Sequence, residues 1–326
     1  MPRSTDFFIA GAPKCGTTAL FDYLSSHPGA FIPPCKEPNY FCSDLSIPGV
    51  RSRASYQALF APAPPGALTG DASSMYLYSE LAVGQIMAYN PAAKFIVLLR
   101  HPVEAARSLY AARRSHGHEN APDFECAWKR QPERLQGMSL PPRWPDPKTL
   151  QYGAIYRYAP QLRRLLAHAG RTRCLFVVYE EFFAQPRQQF ARVLDFLNLT
   201  ADPARVAFPA RNPTLGTRSL RLQRFLAAPP SWLTALGTPL QKVARAAQLH
   251  PWQTLQRLNR YRAEKAALPQ SFRQELEDHF AADVAETEAL LGRKLWALSP
   301  AQPHARSPQR QDAAADSAES LPAPLG

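Results

Sequence analysis

The chain has 326 residues, of which 45% are hydrophobic, and its formal net charge at pH 7 is +12. This length and composition predict a globular protein with a sizeable core, and the charge favours anionic ligands, although a solvated arginine-rich surface would give part of the same excess. No run of about twenty apolar residues is present to span a membrane.

The cysteines and the first residues bear on the cell compartment. The five cysteines are odd in number and lack the spacing of a zinc site, which favours reduced thiols in a cytoplasm. Cys35 and Cys42 would pair only in an oxidising compartment. Residues 1–6 lack the apolar core of a signal peptide, so we expect a cytoplasmic protein. Nucleic-acid binding is not favoured, because no Cys/His finger, basic zipper or RNA-binding aromatic signature appears.

The first predicted elements are a strand, a glycine-containing turn and a helix. Phe7–Ile9 is a short apolar run that predicts a buried strand, Gly11–Gly16 forms the turn, and apolar residues at helical spacing follow Thr17. This arrangement points backbone N–H groups at a phosphate. The Gly-x4-Gly spacing is that of a Walker loop, but Thr17 stands where a nucleotidase has lysine, and the lysine lies within the turn at Lys14.

The run Pro13-Lys14-Cys15-Gly16-Thr17-Thr18 resembles the 5′-phosphosulfate loop of sulfotransferases, which use 3′-phosphoadenosine 5′-phosphosulfate (PAPS). The resemblance implies that five residues bind this co-substrate, namely Lys14, Cys15, Gly16, Thr17 and Thr18. It also implies that Lys14 stabilises charge on the leaving phosphate. The alternative is a turn that merely links a strand to a helix.

A second motif follows the predicted short strand Ala30–Ile32. The run Lys36-Glu37-Pro38-Asn39-Tyr40-Phe41 places a charged pair before a proline and aromatic residues, and the proline favours an extended Glu37. The pattern resembles heparan sulfate-type sulfotransferases, in which this glutamate is the general base. The resemblance implies catalysis by Glu37 and a substrate contact for Lys36. The alternative is a surface loop with a solvated carboxylate.

The segment Gly70–Leu77 is similar to a Gly-Glu-x-Ser-Pro-x-Tyr segment that lines the acceptor cleft in the same family. Asp71 stands here where glutamate is common, and Ser74 where proline is common. The similarity implies substrate contacts for Asp71 and Ser73. Capping of a helix by either side chain is an equal alternative.

Lys94–Leu99 is an unbroken apolar run after one lysine, which predicts a central parallel strand. It is followed by Arg100, and a helix bearing Ser108 comes next. A basic residue at a strand end and a serine on the following helix can hold one phosphate together, and this pattern resembles the 3′-phosphate site of PAPS enzymes. The alternative is that Arg100 pairs with a core carboxylate.

Residues 113–150 are rich in proline and show no clear period, so we expect an inserted lid or loop over the acceptor. His116, His118 and Glu119 within it suggest metal ligands only superficially, and an incidental cluster is favoured. Helix and strand then alternate, as a helix from Gly153 to about Gly170, a buried strand over Cys174–Val178, a helix from Pro186 and a last packing helix from Phe272 to Val284.

The end of the chain adds two further expectations. Residues 205–262 are basic, and the family places a glycine-and-basic loop over the adenosine phosphate here, which makes Arg218 a candidate for binding the co-substrate. Residues 299–326 are rich in Ala, Pro, Ser and Gln and are expected to be disordered.

Alternating strands and helices predict an α/β fold, a P-loop-type parallel sheet with helices on both faces, as a single domain over residues 1–298. The three motifs in this order imply a PAPS-dependent sulfotransferase that modifies a hydroxyl acceptor, namely a sugar, a lipid or a small metabolite, and needs no metal. A P-loop kinase or other phosphotransferase, and a non-catalytic nucleotide-binding protein, are the alternatives.

Overall fold

The computed structural model describes residues 4–141, 146–200, 215–217, 260–262 and 267–296. Compactness groups Met1–Trp296 into one unit. Arg218, most of the basic stretch over 205–262 and the tail over 299–326 lie outside the described residues, so the expectations for them stay predictions. In the described ranges no helix is long and apolar enough to cross a membrane.

A five-stranded parallel sheet forms the centre of the fold. Its strands are β1 (Phe7–Gly11), β2 (Ala30–Phe31), β3 (Leu68–Asp71), β4 (Lys94–Leu99) and β5 (Cys174–Val178). They lie in the order β2-β3-β1-β4-β5, and each neighbouring pair is parallel. A separate antiparallel pair joins β6 (Leu215–Thr217) to β7 (Arg260–Arg262). The predicted parallel α/β fold is confirmed.

Burial explains why the central strands are continuous apolar runs. Every residue of β1 is buried, as are the last five residues of β4. Parallel strands covered by helices on both faces have no solvent-facing side, so alternation with polar residues disappears. The carboxyl ends of parallel strands meet at one edge of the sheet, which therefore collects the loops that follow each strand.

Eleven helices lie in the described ranges. In chain order they are α1 (Thr17–Ser25), α2 (Arg53–Ala58), α3 (Ala82–Tyr89), α4 (Pro102–Ser115), α5 (Phe124–Lys129), α6 (Gln131–Leu135), α7 (Tyr152–Tyr156), α8 (Tyr158–Ala169), α9 (Tyr179–Ala184), α10 (Pro186–Leu197) and α11 (Gln270–Leu291). Short 3₁₀ turns cover Pro147–Leu150 and Arg171–Arg173.

An aromatic cluster fixes the second motif against the sheet. The ring of Phe41 lies edge-on to Phe8 of β1, with centroids 5.9 Å apart, and to Tyr76, with centroids 5.8 Å apart. Tyr56 of α2 packs on Phe41 at 5.3 Å. Since edge-to-face aromatic pairs stabilise beyond the area they bury, the aromatic end of the motif is anchored in the core.

The stretch over 113–150 is more regular than the sequence predicted. It contains the end of α4, the short helices α5 and α6, and a 3₁₀ turn, and Trp128 is buried. The Glu119 carboxylate accepts from the Arg134 guanidinium at 2.5 and 2.9 Å and from the Tyr152 hydroxyl at 2.6 Å, and Arg134 is fully buried. Helices of five or six residues are too short for a periodic pattern, so the sequence missed them.

The helix predicted from Gly153 to about Gly170 is interrupted. The chain leaves the helical conformation at Arg157, where ψ is 94°, and this separates α7 from α8. Asp283 of α11 accepts from the N–H groups of Tyr158 and Ala159 at 2.7 and 3.0 Å. This carboxylate satisfies donors that the break would leave without partners, and it comes from a distant part of the sequence.

Candidate active site

The turn after β1 forms a candidate anion site at the start of α1. Gly16 precedes the helix with φ 95°, a left-handed conformation that glycine adopts without steric cost, and no side chain caps the helix. Lys14 also has a positive φ, 62°, and its side chain is exposed. No side chain of the described residues caps the first N–H groups of α1, which therefore suit a phosphate group.

Two tyrosines brace this turn from α7 and α8. The Tyr156 hydroxyl donates to the carbonyl oxygen of Pro13 at 2.9 Å. The Tyr158 hydroxyl donates to the carbonyl oxygen of Arg100 at 2.9 Å and lies 3.5 Å from the Cys15 Sγ. Burial raises the pKa of the Cys15 thiol to about 12, so this residue is a neutral packing element of the loop.

Arg100 lies where β4 ends, next to the turn. Its Nη1 is 3.4 Å from the carbonyl oxygen of Lys14, and its guanidinium carbon lies 4.1 Å from the centre of the Tyr179 ring. Among the described residues Arg100 forms no ion pair, and its buried Nε has no hydrogen-bond partner. The core carboxylate considered as its alternative partner is therefore not found there, and a buried donor remains for an anion.

Ser108 lies on α4 and is half-buried. No hydrogen bond joins it to Arg100 in the part of the chain that the structure describes. Their joint hold on a phosphate stays a prediction.

Glu37 is held at the carboxyl-end edge of the sheet by Ser74. The Ser74 hydroxyl donates to Glu37 Oε1 at 2.8 Å, and its N–H donates to Oε2 at 3.1 Å. The Glu37 side chain keeps 32% of its surface exposed, so the carboxylate is oriented yet accessible. The backbone has φ 62°, so the expectation of an extended Glu37 before Pro38 is wrong. A hydrogen bond from Glu37 N–H to the Ala72 carbonyl oxygen, at 3.0 Å, accompanies this conformation.

Lys36 links Glu37 to the anion site. Its Nζ donates to Thr18 Oγ1 at 2.9 Å and lies 3.4 Å from Glu37 Oε1. The pKa of Lys14 is lowered, first by loss of hydration among surrounding protein atoms and then by the positive charges of Lys36 and Arg100. The Lys14 side chain nevertheless has exposed surface. Three cations thus gather around the turn, and an anionic ligand would relieve their mutual repulsion.

Asp71 and Ser73 occupy a different environment from the one predicted. Asp71 is 1% exposed, and its carboxylate accepts hydroxyl donors from Ser73, Tyr56 and Tyr76 at 2.7, 2.9 and 2.7 Å. Ser73 is fully buried. Neither side chain caps a helix, because a turn follows β3. The burial of both residues gives no support to the predicted contacts with an acceptor.

Four residues of the site were missed by the sequence analysis as contributors. Ser74 had a visible signal, since serine replaces a common proline and so supplies the two donors that hold Glu37. Tyr156, Tyr158 and Tyr179 had none. Their roles depend on how α7, α8 and α9 pack against the turn, which periodicity does not reveal.

Metal binding has no candidate in the described ranges, where no group of three or more His, Cys, Asp or Glu side chains could hold an ion. Glu119, which the sequence placed near two histidines, is instead committed to Arg134. The described residues that the structure brings together at the anion site are Lys14, Thr18, Lys36, Glu37 and Arg100.

Residues 4–209 match the family model of the sulfotransferase domain, which is more than half of the chain. The chain belongs to the sulfotransferase domain family. The predicted family is therefore confirmed, and the motifs around Lys14, Glu37 and Arg100 all lie within the matched range.

Curated relatives of this sulfotransferase-family chain include the human heparan sulfate glucosamine 3-O-sulfotransferase 3B1, 30% identical over 191 residues. That alignment covers 59% of this chain and 45% of the human protein. The bovine bifunctional heparan sulfate N-deacetylase/N-sulfotransferase 2 is 28% identical over 211 residues, which cover 61% of this chain and 23% of the bovine protein. The chain spans less than half the length of these relatives.

Among solved structures, a sulfotransferase from Alicyclobacillus acidocaldarius is similar to this chain with a TM-score of 0.65 and 25% sequence identity. The alignment covers 90% of this chain and 97% of that one. Its similarity extends well beyond the range of the family model.

Proposed function

We propose that this sulfotransferase-family chain transfers a sulfuryl group from PAPS to a hydroxyl acceptor. The observation that carries the proposal is the position of Glu37. Its carboxylate is oriented by Ser74 and connected through Lys36 to the anion site that holds Lys14. An accessible base beside a phosphate-binding turn is the arrangement that sulfuryl transfer to an alcohol needs.

The residues present suit the anionic groups of PAPS. The uncapped start of α1, together with Lys14 and Thr18, would hold the 5′-phosphosulfate. Arg100, with its buried Nε unpartnered among the described residues, would bind the 3′-phosphate. When bound, PAPS supplies an activated sulfuryl group. Ser108 and Arg218 are proposed as further contacts to its phosphates.

Glu37 acts as the general base in this proposal. It accepts the acceptor's hydroxyl proton while the acceptor oxygen forms its bond to sulfur. The bond between sulfur and the bridging phosphate oxygen breaks, and the electron pair leaves with that oxygen. Lys14 and the N–H groups of the turn stabilise the resulting negative charge, and because these donors are already in place they lower the barrier without reorganisation.

The acceptor is proposed to be a carbohydrate hydroxyl, with a lipid or small metabolite as the other candidates. Support comes from the curated relatives, whose names include heparan sulfate as the material they modify. Lys36 lies beside Glu37 and is proposed to contact the acceptor. The cytoplasmic location expected from the sequence stays a prediction.

The two alternatives have weaker support. A phosphotransferase is not favoured, because the family match is to sulfotransferases and Thr17 stands in place of the Walker lysine. A non-catalytic nucleotide-binding protein would have no use for an accessible carboxylate held by two hydrogen bonds next to the anion site.

Calorimetry with adenosine 3′,5′-bisphosphate (PAP) and with AMP tests the co-substrate. We expect PAP to bind far more tightly, because Arg100 would bind the 3′-phosphate that AMP lacks. A charge-assisted hydrogen bond contributes roughly 1.5–3 kcal/mol, so Arg100→Ala should weaken PAP binding by about ten- to a hundredfold. Arg163→Ala is the matched control, since this exposed arginine of α8 pairs with Glu286. Equal affinities for PAP and AMP would contradict the proposal.

A further inference from the structure

Hydrogen bonds join the segment that carries Glu37 to the segment that follows β3. Glu37 N–H donates to the Ala72 carbonyl oxygen at 3.0 Å, and Asn39 N–H donates to Ser73 Oγ at 3.0 Å. In the other direction, the Ser74 N–H and hydroxyl groups both donate to the Glu37 carboxylate. The orientation of Glu37 therefore depends on the conformation of Ala72, Ser73 and Ser74.

Asp71 controls that conformation from the core. It is the last residue of β3, and its carboxylate accepts the Ser73 hydroxyl at 2.7 Å. Because the Ser73 hydroxyl donates to Asp71, its oxygen is turned to accept the Asn39 N–H. Two further hydroxyls, from Tyr56 and Tyr76, hold the other carboxylate oxygen in place.

We propose that Asp71 is a positioning residue for the reaction, which holds the Glu37 base in its working orientation through Ser73 and the backbone that leads from it to Ser74. This inference rests on the proposed function. Asp71 itself touches no substrate, since its side chain is buried and its oxygens are taken by three hydroxyls. Displacing a catalytic group by about 1 Å can lower a rate by roughly a hundredfold, so an indirect role has a measurable effect.

The charge state of Asp71 matters because all three neighbouring hydroxyls donate to it. Among the described residues, the titratable groups that act on it are Tyr56, Tyr76, Glu37 and Cys42. Burial raises the pKa of Asp71 to about 6, against the opposing effect of its three hydroxyl donors. Below that pH the carboxyl carries its own proton, and the neutral group accepts the three hydroxyl hydrogen bonds more weakly than the carboxylate does. We therefore expect the hold on Glu37 to be complete above pH 6 and to weaken as the pH falls through it.

The first test is a double-mutant cycle with Asp71→Asn and Glu37→Gln. One measurement is the rate at which label passes from radiolabelled PAPS to a constant amount of cell extract. The other is the affinity for PAP, measured by calorimetry. Asp71→Asn alone should lower the rate by about ten- to a hundredfold with unchanged PAP affinity. In the Glu37→Gln background, Asp71→Asn should lower the transfer rate by less than about twofold, because the carboxylate that Asp71 positions is absent. An equal loss in both backgrounds would overturn the inference.

The second test does not require turnover. Carbon-13 NMR of glutamate carboxyl groups follows Glu37, whose resonance is assigned by its loss in Glu37→Gln. In the wild type this resonance should shift with a midpoint near pH 6, set by Asp71, and the shift should vanish in Asp71→Asn. If the wild type transfers no label yet shows this behaviour, the proposed function fails while the positioning role stands. A Glu37 resonance indifferent to Asp71→Asn overturns the positioning role.

Tyr76→Phe covers the case in which Asp71→Asn does not fold. It deletes one donor to Asp71 and should shift the Glu37 resonance and lower the transfer rate on the order of threefold. Tyr40→Phe is the matched control, because Tyr40 stacks on Tyr56 at 4.6 Å but makes no hydrogen bond to Asp71. If Tyr76→Phe and Tyr40→Phe behave alike in both measurements, the inference is wrong.

Discussion

Two carboxylates near the anion site differ in what surrounds them, and this difference separates their roles. Glu37 has about a third of its side chain exposed, whereas Asp71 is 1% exposed. A general base must reach the proton it removes, directly or through one water. Glu37 meets this condition and Asp71 does not, although the sequence alone left Asp71 as a candidate contact for the substrate.

Glu37→Gln keeps the size of the side chain but removes its ability to accept a proton. We expect the transfer rate from PAPS to fall by roughly 10²–10⁴-fold with PAP affinity little changed, since the proposed base would act only on the acceptor. The transfer assay and calorimetry measure the two quantities. Glu125→Gln is the control, because Glu125 is exposed and pairs with Lys129. A near wild-type rate in Glu37→Gln would remove the base from the mechanism.

At this scale the sequence was informative where a residue follows a predicted strand. Lys14, Glu37 and Arg100 were selected because each belongs to a motif that resembles a sulfotransferase motif and follows a predicted strand, and the structure gathers them at one edge of the sheet. The sequence did not indicate in which direction these side chains point. Nothing in the pattern around Asp71 shows that its side chain turns into the core, because that depends on tyrosines from α2 and from the turn after β3.

Among the elements, the strands were the most predictable. β4 and β5 match their predicted bounds, because a parallel strand buried on both faces leaves an unbroken apolar run. The short helices α5 and α6 were missed. The break between α7 and α8 was also missed, because the N–H groups that it exposes donate to Asp283, which lies far away in the sequence.

Substitution of Gly16 tests whether the turn between β1 and α1 binds the nucleotide. Gly16→Ala places a methyl group 3.1 Å from the Phe183 ring at φ 95°, whereas Gly66→Ala has a similar φ of 80° and nothing within 4 Å. Both variants should lose about 1 kcal/mol of unfolding free energy from the left-handed backbone. Gly16→Ala should lose more and weaken PAP binding about tenfold, because the N–H groups of the turn must move.

Denaturant unfolding and calorimetry on the two glycine variants measure these effects. The comparison isolates the anion site because the backbone conformation is shared and the surroundings differ. Equal losses of stability, together with unchanged PAP affinity in Gly16→Ala, would show that the turn does not hold the nucleotide.

At the scale of the whole molecule, the fold brings together residues that are far apart in sequence. Lys14 and Arg100 are 86 positions apart, and the Arg100 Nη1 is 3.4 Å from the Lys14 carbonyl oxygen. This convergence follows from the parallel sheet, in which β1 and β4 are neighbours and their following loops meet at one edge. The net charge of +12 is consistent with an anionic co-substrate, but only the site shows where that charge acts.

Metal-independent transfer of a sulfuryl group is what most directly separates the proposed sulfotransferase from a phosphotransferase. Purified protein, treated with EDTA, is incubated with a heat-inactivated cell extract and PAPS labelled on its sulfuryl group, and in parallel with the same extract, magnesium and ATP labelled on its γ-phosphate. We predict that label passes from PAPS to an acceptor at an undiminished rate in EDTA, and that none passes from ATP. Transfer from ATP that requires magnesium, without transfer from PAPS, would contradict the proposed sulfuryl transfer.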